Sequence, residues 1–271
     1  MMDMQNNNKT FPAIMGVLNV TPDSFSDGGK YDTGSKAVEH ALTLIEEGAE
    51  IIDIGGESSR PGASVLPSDI EMKRVIPVIK DIKNILPSTV ISVDTTKYDV
   101  ASAAIDAGAD IINDISGLQF DERLAVLAAE RNKSLVLMHI KGTPQNMQKN
   151  PVYLNVVSEV YDFLKQQYEY AKDIGVKDVI IDVGIGFGKT LEHNLELLKN
   201  LDVFENIGAK ILVGISRKSF IGALTGIENP QDRDTATALL HAILLKNNID
   251  IIRVHNVKIL KLLKTLYQSI G

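Results

Sequence analysis

Short apolar runs rich in β-branched residues recur along the chain: Ile14–Val20, Glu50–Ile54, Val90–Val93, Asp110–Asn113, Ser134–Met138, Asp178–Ile181, Lys210–Gly214 and Asp250–Val254. Most lack strict polar/apolar alternation, as expected of parallel strands covered on both faces. Between them apolar residues return at helical spacing, as in Ala37, Ala41, Leu44 and Ile45, or Val75, Ile76, Ile79 and Ile82. Three helical segments end in a repeated step that leads into the next strand: Gly48-Ala49-Glu50, Gly108-Ala109-Asp110 and Gly208-Ala209-Lys210. Gly175-Val176-Lys177 is a looser copy. Glycine there can take the left-handed conformation that closes a helix. Eight strands alternating with helices, with no linker between them, predict one α/β domain over residues 1–271, a (β/α)8 TIM barrel. An open doubly wound sheet is the alternative. Residues 1–12 are expected to form a disordered or extended tail.

Polar residues gather where the strands end. Asn19 closes the first run and Gly55 to Gly62 follow the second; Asp94 ends the third and Asn113-Asp114 the fourth. His139, Asp182 and Ser216-Arg217-Lys218-Ser219 follow the next three, and Arg253 with His255 closes the last. In a parallel barrel these exits converge on one rim, where such enzymes carry their active sites. Two connections are long, Thr21–Gly34 and Ser58–Pro67, against a usual two to six residues or so. They read as lids after strands 1 and 2, or as tolerated surface insertions.

Each polar residue has a plainer reading as well. Asp94 and Asp182 could cap the helices that follow them. Asn113 could satisfy loop backbone. Arg253 and His255 lie two apart on a strand and so share a face, where they could bind an anion or pair with Asp94 or Asp182. Gly184-Ile185-Gly186-Phe187-Gly188-Lys189 lacks the Gly-Lys-Ser/Thr ending of a phosphate loop, so a tight turn with close backbone approach to a flat ligand fits better. His139 and His241 are not spaced as a metal pair, and His40, His193 and His241 read as solvated or structural.

Composition narrows the class. The chain has 271 residues, 44% hydrophobic and 23% charged, with a net charge of −7. That balance is ordinary for a soluble protein and argues against a general nucleic-acid or membrane-surface role. The chain has no cysteine, which excludes disulfides, thiolate metal sites and cysteine nucleophiles. The start is polar and no apolar stretch reaches the roughly 20 residues of a membrane span, so a cytoplasmic enzyme is expected.

These residues together resemble the dihydropteroate synthase family from Ile14 to His255. Asn19-Val20-Thr21-Pro22-Asp23-Ser24-Phe25-Ser26-Asp27-Gly28-Gly29 is similar to the family's first signature. Gly55-Gly56-Glu57-Ser58-Ser59-Arg60-Pro61-Gly62 is similar to the second, and the later strand-exit motifs match in order. The resemblance implies that (7,8-dihydropterin-6-yl)methyl diphosphate is condensed with p-aminobenzoate, that Mg²⁺ takes part, that sulfonamides inhibit, and that the protein is a homodimer. It implies a pterin site of Asp94, Asn113, Asp182, Lys218 and Arg253. Pyrophosphate would meet Asn19, Ser59, Arg60, Arg253 and His255, with Asn19 also touching the metal. The aminobenzoate would meet Phe25, Ser59, Pro61, Phe187, Lys218 and Ser219. Catalysis would rest on Asn19, Lys218, Arg253 and His255, with no protein nucleophile.

Three positions depart from the family pattern: Ser59 for a common threonine, Val183 for a proline and Asn256 for an aspartate. A pterin-binding methyltransferase acting on methyltetrahydrofolate would have no use for the Arg-Val-His anion site or the Asn19 loop. A catalytically inactive barrel would be marked by loss of Asn19, Lys218 or His255, and all three are present.

Overall fold

The computed structural model describes residues 10–21 and 33–270. The eight apolar runs form β1 (Ala13–Asn19), β2 (Ile51–Gly55), β3 (Val90–Asp94), β4 (Ile111–Asp114), β5 (Ser134–Met138), β6 (Val179–Asp182), β7 (Lys210–Gly214) and β8 (Ile251–Val254). All neighbouring pairs are parallel, and β1 also pairs with β8, Ala13 opposite Ile251, so the sheet is a closed barrel. The doubly wound alternative is thereby excluded.

The helices are α1 (Thr33–Glu46), α2 (Ser68–Ile85), α3 (Tyr98–Asp106), α4 (Arg123–Glu130), α5 (Val156–Ile174), α6 (Leu191–Lys199), α7 (Ser219–Thr225), α8 (Asp234–Leu244) and α9 (Val257–Ile270). Gly48 and Gly108 take φ of +109° and +115° in the repeated step between helix and strand. In both copies the next N–H, of Ala49 or Ala109, returns to a carbonyl of the last helical turn, Leu44 or Ala104. Phe11, counted above with the tail, is buried and meets Tyr267 of α9 edge to face, centroids 5.6 Å apart.

Successive side chains on a strand point to opposite faces. One set, including Ile14, Ile52, Ile91, Ile181, Val213 and Ile252, joins the buried shell shared with the helices. The other points into the barrel, where Met15, Ile51, Ile111, Val136, Ile180, Leu212 and Ile251 form a separate apolar layer. Two residues further along four of these strands stand Asp53, Asn113, Asp182 and Arg253, and Asp94 lies opposite Asn113 in the ladder. The same alternation thus lays an apolar floor and a polar layer above it, at the strand exits.

Candidate functional site

Arg253 organises the polar layer. Its Nε donates to Asp53 Oδ2 at 2.6 Å and its Nη2 to Asp94 Oδ2 at 2.9 Å. Asn113 Nδ2 donates to the same Asp53 oxygen at 3.1 Å. The ion pair considered from the sequence is therefore present, with Asp94 and not Asp182. Asn113 serves a carboxylate and not loop backbone. Asp94 is no helix cap, because Lys97 occupies that position for α3. Asp182 caps no helix either; it accepts from Gly184 N at 2.8 Å, and Thr190 caps α6. Gly214 leaves room between Asp182 and Arg253, since an added Cβ would lie 3.7 Å from Asp182 Oδ2 and 3.8 Å from Arg253 Cβ.

Asp53 was not singled out in the sequence. It is fully buried, and its Oδ1 has no hydrogen-bond partner. A charge inside Ile51-Ile52-Asp53-Ile54 was the available signal, because a buried carboxylate needs a partner.

Burial dominates the titration of Asp94, Asp182, Lys218 and His255. It raises Asp94 to about 7, with Arg253 opposing and Asp53 adding to the shift. It raises Asp182 too, against the pull of Lys218. Lys218 is lowered to about 8 by burial, with Asp182 opposing. His255 falls to about 3, through burial first and then the positive charge of Arg253 and Arg217. Its backbone N donates to Ser216 Oγ at 3.2 Å, and its Nδ1 lies 3.0 Å from the same oxygen.

Lys218 precedes α7, and its Nζ donates to the Ile185 carbonyl while standing 4.5 Å from the Phe187 ring centroid. Ser219 is exposed at the start of α7. Arg217 belongs to a structural pair: its Nε and Nη2 bind Asp234 at 2.6 and 2.7 Å. Asn256 joins the same carboxylate at 2.9 Å and accepts from Ile259 N at 3.1 Å, which accounts for an amide at that position.

The β6–α6 connection is a tight passage, but its glycines face protein. Gly184 and Gly188 have φ of +68° and +64°, and a Cβ on either would overlap a β5–α5 carbonyl oxygen, of His139 or Lys141. The expected backbone approach to a flat ligand is thus corrected for these two residues; Gly186 alone faces a site residue, Lys218. Every carbonyl from Gly184 to Gly188 accepts from a side chain. Lys189 Nζ takes Gly184 O at 2.9 Å and Phe187 O at 3.0 Å, Lys218 takes Ile185 O, Gln148 takes Gly186 O at 2.7 Å, and Tyr153 takes Gly188 O at 2.8 Å.

Residues 56–67 join β2 to α2 without helix or strand. The base is tied down: Arg74 Nη1 donates to Gly56 O at 2.7 Å, Glu57 accepts from Leu66 N at 3.2 Å, and Lys97 is clasped between Glu57 and Glu71. Further out, Gly62 N donates to Pro144 O across the mouth of the barrel at 2.9 Å. Arg60 and Pro61 are exposed and line a cavity of about 380 Å³ with Thr21, Glu57 and Arg74; Ser59 is half-buried and not part of that lining.

Asn19 lies at the β1 exit beside Gly55, whose added Cβ would be 3.7 Å from Asn19 Oδ1 and 3.5 Å from Asp94 Cβ. Phe25 and the rest of the first long loop, 22–32, lie outside the described residues. Of the three helical histidines, His193 closes a capping box with Thr190, His40 is exposed, and His241 is fully buried with neither ring nitrogen bonded. Among the described residues no group of three histidine, aspartate or glutamate side chains could hold a metal.

Residues 15–255 match the pterin binding enzyme family. A dihydropteroate synthase from Synechocystis sp. is 42% identical over 247 residues, covering 90% of this chain and 85% of that protein. The Xanthomonas albilineans dihydropteroate synthase, solved with 4-aminobenzoic acid, superposes with a TM-score of 0.89 at 40% identity, covering 96% of this chain and 93% of the other. The Yersinia pestis dihydropteroate synthase, solved as a sulfonamide drug complex, gives 0.87 at 38% identity, covering 95% and 94%.

Proposed function

The chain belongs to the pterin binding enzyme family and, within it, to the dihydropteroate synthases, and from that premise we propose how its residues divide the work. The reaction is the transfer of a pterinylmethyl group in folate biosynthesis: (7,8-dihydropterin-6-yl)methyl diphosphate and p-aminobenzoate give 7,8-dihydropteroate and diphosphate. The bond between the methylene carbon and the pyrophosphate oxygen breaks with its electron pair on the leaving group. The arylamine nitrogen supplies the pair for the new carbon–nitrogen bond and releases a proton to solvent.

The observation that carries this reading is the polar layer of Asp94, Asn113, Asp182 and Arg253 in the barrel mouth, with Lys218 beside it. A dihydropterin offers a guanidine-like edge of donors, and buried carboxylates and an amide are acceptors suited to it; each charged hydrogen bond contributes about 1.5–3 kcal/mol. Lys218 donates to the ring and Arg253 stacks on its face. Asn19, Ser59, Arg60, Arg253 and His255 receive the pyrophosphate. His255, neutral around pH 7, acts as a hydrogen-bond donor there and not as a cation. The aminobenzoate lies between Phe187, the stem of Lys218 and the loop residues Phe25, Ser59 and Pro61, with its carboxylate at Ser219.

For magnesium the donor set is one amide, Asn19, at a strand exit with Gly55 between it and Asp94. This fits an ion that keeps most of its waters and leans on substrate phosphates. When bound, magnesium would offset the charge that develops on the leaving pyrophosphate.

Neighbouring helices α8 and α9 expose Leu239 and Ile243, and Leu262, Leu266 and Ile270, at four-residue spacing. Such apolar stripes support a homodimer built on this side of the barrel. No helix among the described residues is long and apolar enough to cross a membrane, and the proposed setting is the cytoplasm. Residues 1–271 serve as one pterin-binding domain.

Formation of dihydropteroate from the two substrates, with and without Mg²⁺, tests the reading. Product that depends on Mg²⁺ and is lost in His255→Ala is expected. Absence of product with both substrates and metal would reject it.

A further inference from the structure

Lys189 stands at the end of the β6–α6 loop and is 2% exposed. Its Nζ lies 2.9 Å from His139 Nδ1 and donates to the carbonyls of His139 at 3.2 Å, Gly184 at 2.9 Å and Phe187 at 3.0 Å. None of these acceptors is a carboxylate. Burial pushes its pKa well below the lysine range, against the attraction of Asp182. A buried amine without an acidic hydrogen-bond partner is costly, and an apolar side chain would fill the space more cheaply. The position therefore makes sense through what the amine holds.

What it holds is the geometry of one wall of the site. The Phe187 carbonyl and the Gly184 carbonyl are drawn under the loop toward β5, which leaves the Phe187 ring facing Lys218 at 4.5 Å and the Ile185 carbonyl available to Lys218 Nζ. Asp182 does not depend on this clamp to the same degree, because it sits in the β6 ladder and its carbonyl accepts from His139 N at 3.0 Å.

We propose that Lys189 is a positioning residue for the aminobenzoate half of the reaction, setting the Phe187 ring beside Lys218 by gripping the loop carbonyls from beneath. The inference rests on the assignment of Phe187 to the aminobenzoate site made above. It predicts a split that general loss of structure would not give. Lys189→Met, close in shape but without donors, raises KM for p-aminobenzoate by on the order of tenfold or more, as misplacement of a substrate contact does. Its affinity for a phosphate-free pterin analogue, measured by calorimetry, stays within about threefold of the parent.

Tyr153→Phe and Gln148→Leu release the Gly188 and Gly186 carbonyls one at a time and guard against a misfolded Lys189 variant. Each is expected to raise the same KM by a few-fold while leaving pterin affinity unchanged. Phe187→Ala separates the inference from its premise. If Phe187→Ala raises KM and Lys189→Met does not, Lys189 has no positioning role. If Phe187→Ala itself leaves KM at the parental value, the assignment of Phe187 fails and the inference falls with it. A parallel loss of pterin and aminobenzoate affinity in Lys189→Met, or unchanged KM in both milder variants should Lys189→Met not fold, also overturns it.

Discussion

The connections after β6 and after β2 both border the barrel mouth, yet their backbones are held in different ways. From Gly184 to Gly188 each carbonyl has a side-chain donor, and Gly184 and Gly188 press against the β5–α5 backbone. Residues 56–67 are tied at the base by Arg74, Glu57 and Lys97, but Ser58, Arg60, Pro61 and Gly62 are exposed and the Gly62–Pro144 bond reaches across from the outer part. One wall of the site is built before any ligand arrives. The other has little apolar surface with which to order itself, and ordering costs about 1–2 kcal/mol per residue. The contrast predicts a fixed β6–α6 wall and a β2–α2 loop whose ordering depends on ligand.

The largest effect should come from disturbing the built wall. Gly184→Ala places a methyl group on the His139 carbonyl oxygen at a φ that alanine already disfavours. Backbone must move to relieve it, so a loss of about 3 kcal/mol or more is expected. Urea denaturation reads this directly, and a variant as stable as the parent would show that the wall yields easily.

Next comes Asp182, whose carboxylate is positioned by Gly184 N. Asp182→Ala should lower affinity for a pterin analogue by about 2–3 kcal/mol, with Asp182→Asn the milder change. Calorimetry that finds no loss in the alanine variant would take Asp182 out of the pterin site.

Much of this was legible in the sequence, for definite reasons. The strands were readable because β-branched runs alternate with helical spacing and three Gly-Ala steps lead from a helical segment into a strand, and the strand exits then named Asp94, Asn113, Asp182 and Arg253. Asp53 escaped because it stands inside a run, one layer above the barrel floor, where only the strand alternation shows that it faces inward. Lys189 read as the end of a glycine-rich loop, since its partner His139 comes from the distant β5–α5 connection. Spacing could suggest that the glycines permit a close approach; only the fold shows that the approach is to protein.

The charges of the polar layer and of Lys218 beside it give a third test. Asp94 titrates near 7 and Lys218 near 8 in the free enzyme. Below about 7 Asp94 takes up a proton and no longer offers a charged acceptor; above about 8 Lys218 loses the proton that makes it a charged donor. Affinity for a phosphate-free pterin should therefore peak between these values and fall by about tenfold per unit at most on either side. Asp94→Asn should remove the acid limb and Lys218→Met the basic limb. A flat profile over that range would mean these charges do not read the ring.

The loop half predicts coupling between ligands. If pyrophosphate and Mg²⁺, held near Asn19 and His255, order the β2–α2 loop, a sulfonamide should bind more tightly in their presence. The expected gain is about 1–2 kcal/mol, and the sulfonamide should improve pyrophosphate binding by the same factor. Equal sulfonamide affinity with and without pyrophosphate and Mg²⁺ would mean that both halves of the site are preformed.

The smallest effect is expected at Gly62, and it isolates the comparison most cleanly. Gly62 has φ of +81°, as left-handed as Gly184, but an added Cβ would meet nothing within 4 Å. Gly62→Ala keeps the N–H that reaches Pro144 and adds only the cost of alanine in that conformation, about 1 kcal/mol. Because the loop is held mainly at its base, that cost should appear in loop ordering and not in global stability. Urea denaturation should match the parent closely, while the coupling between sulfonamide and pyrophosphate weakens by up to about fivefold. If Gly62→Ala instead unfolds at the same low urea concentration as Gly184→Ala, the two loops are equally integral to the barrel. The distinction between a built wall and a conditional one would then be wrong.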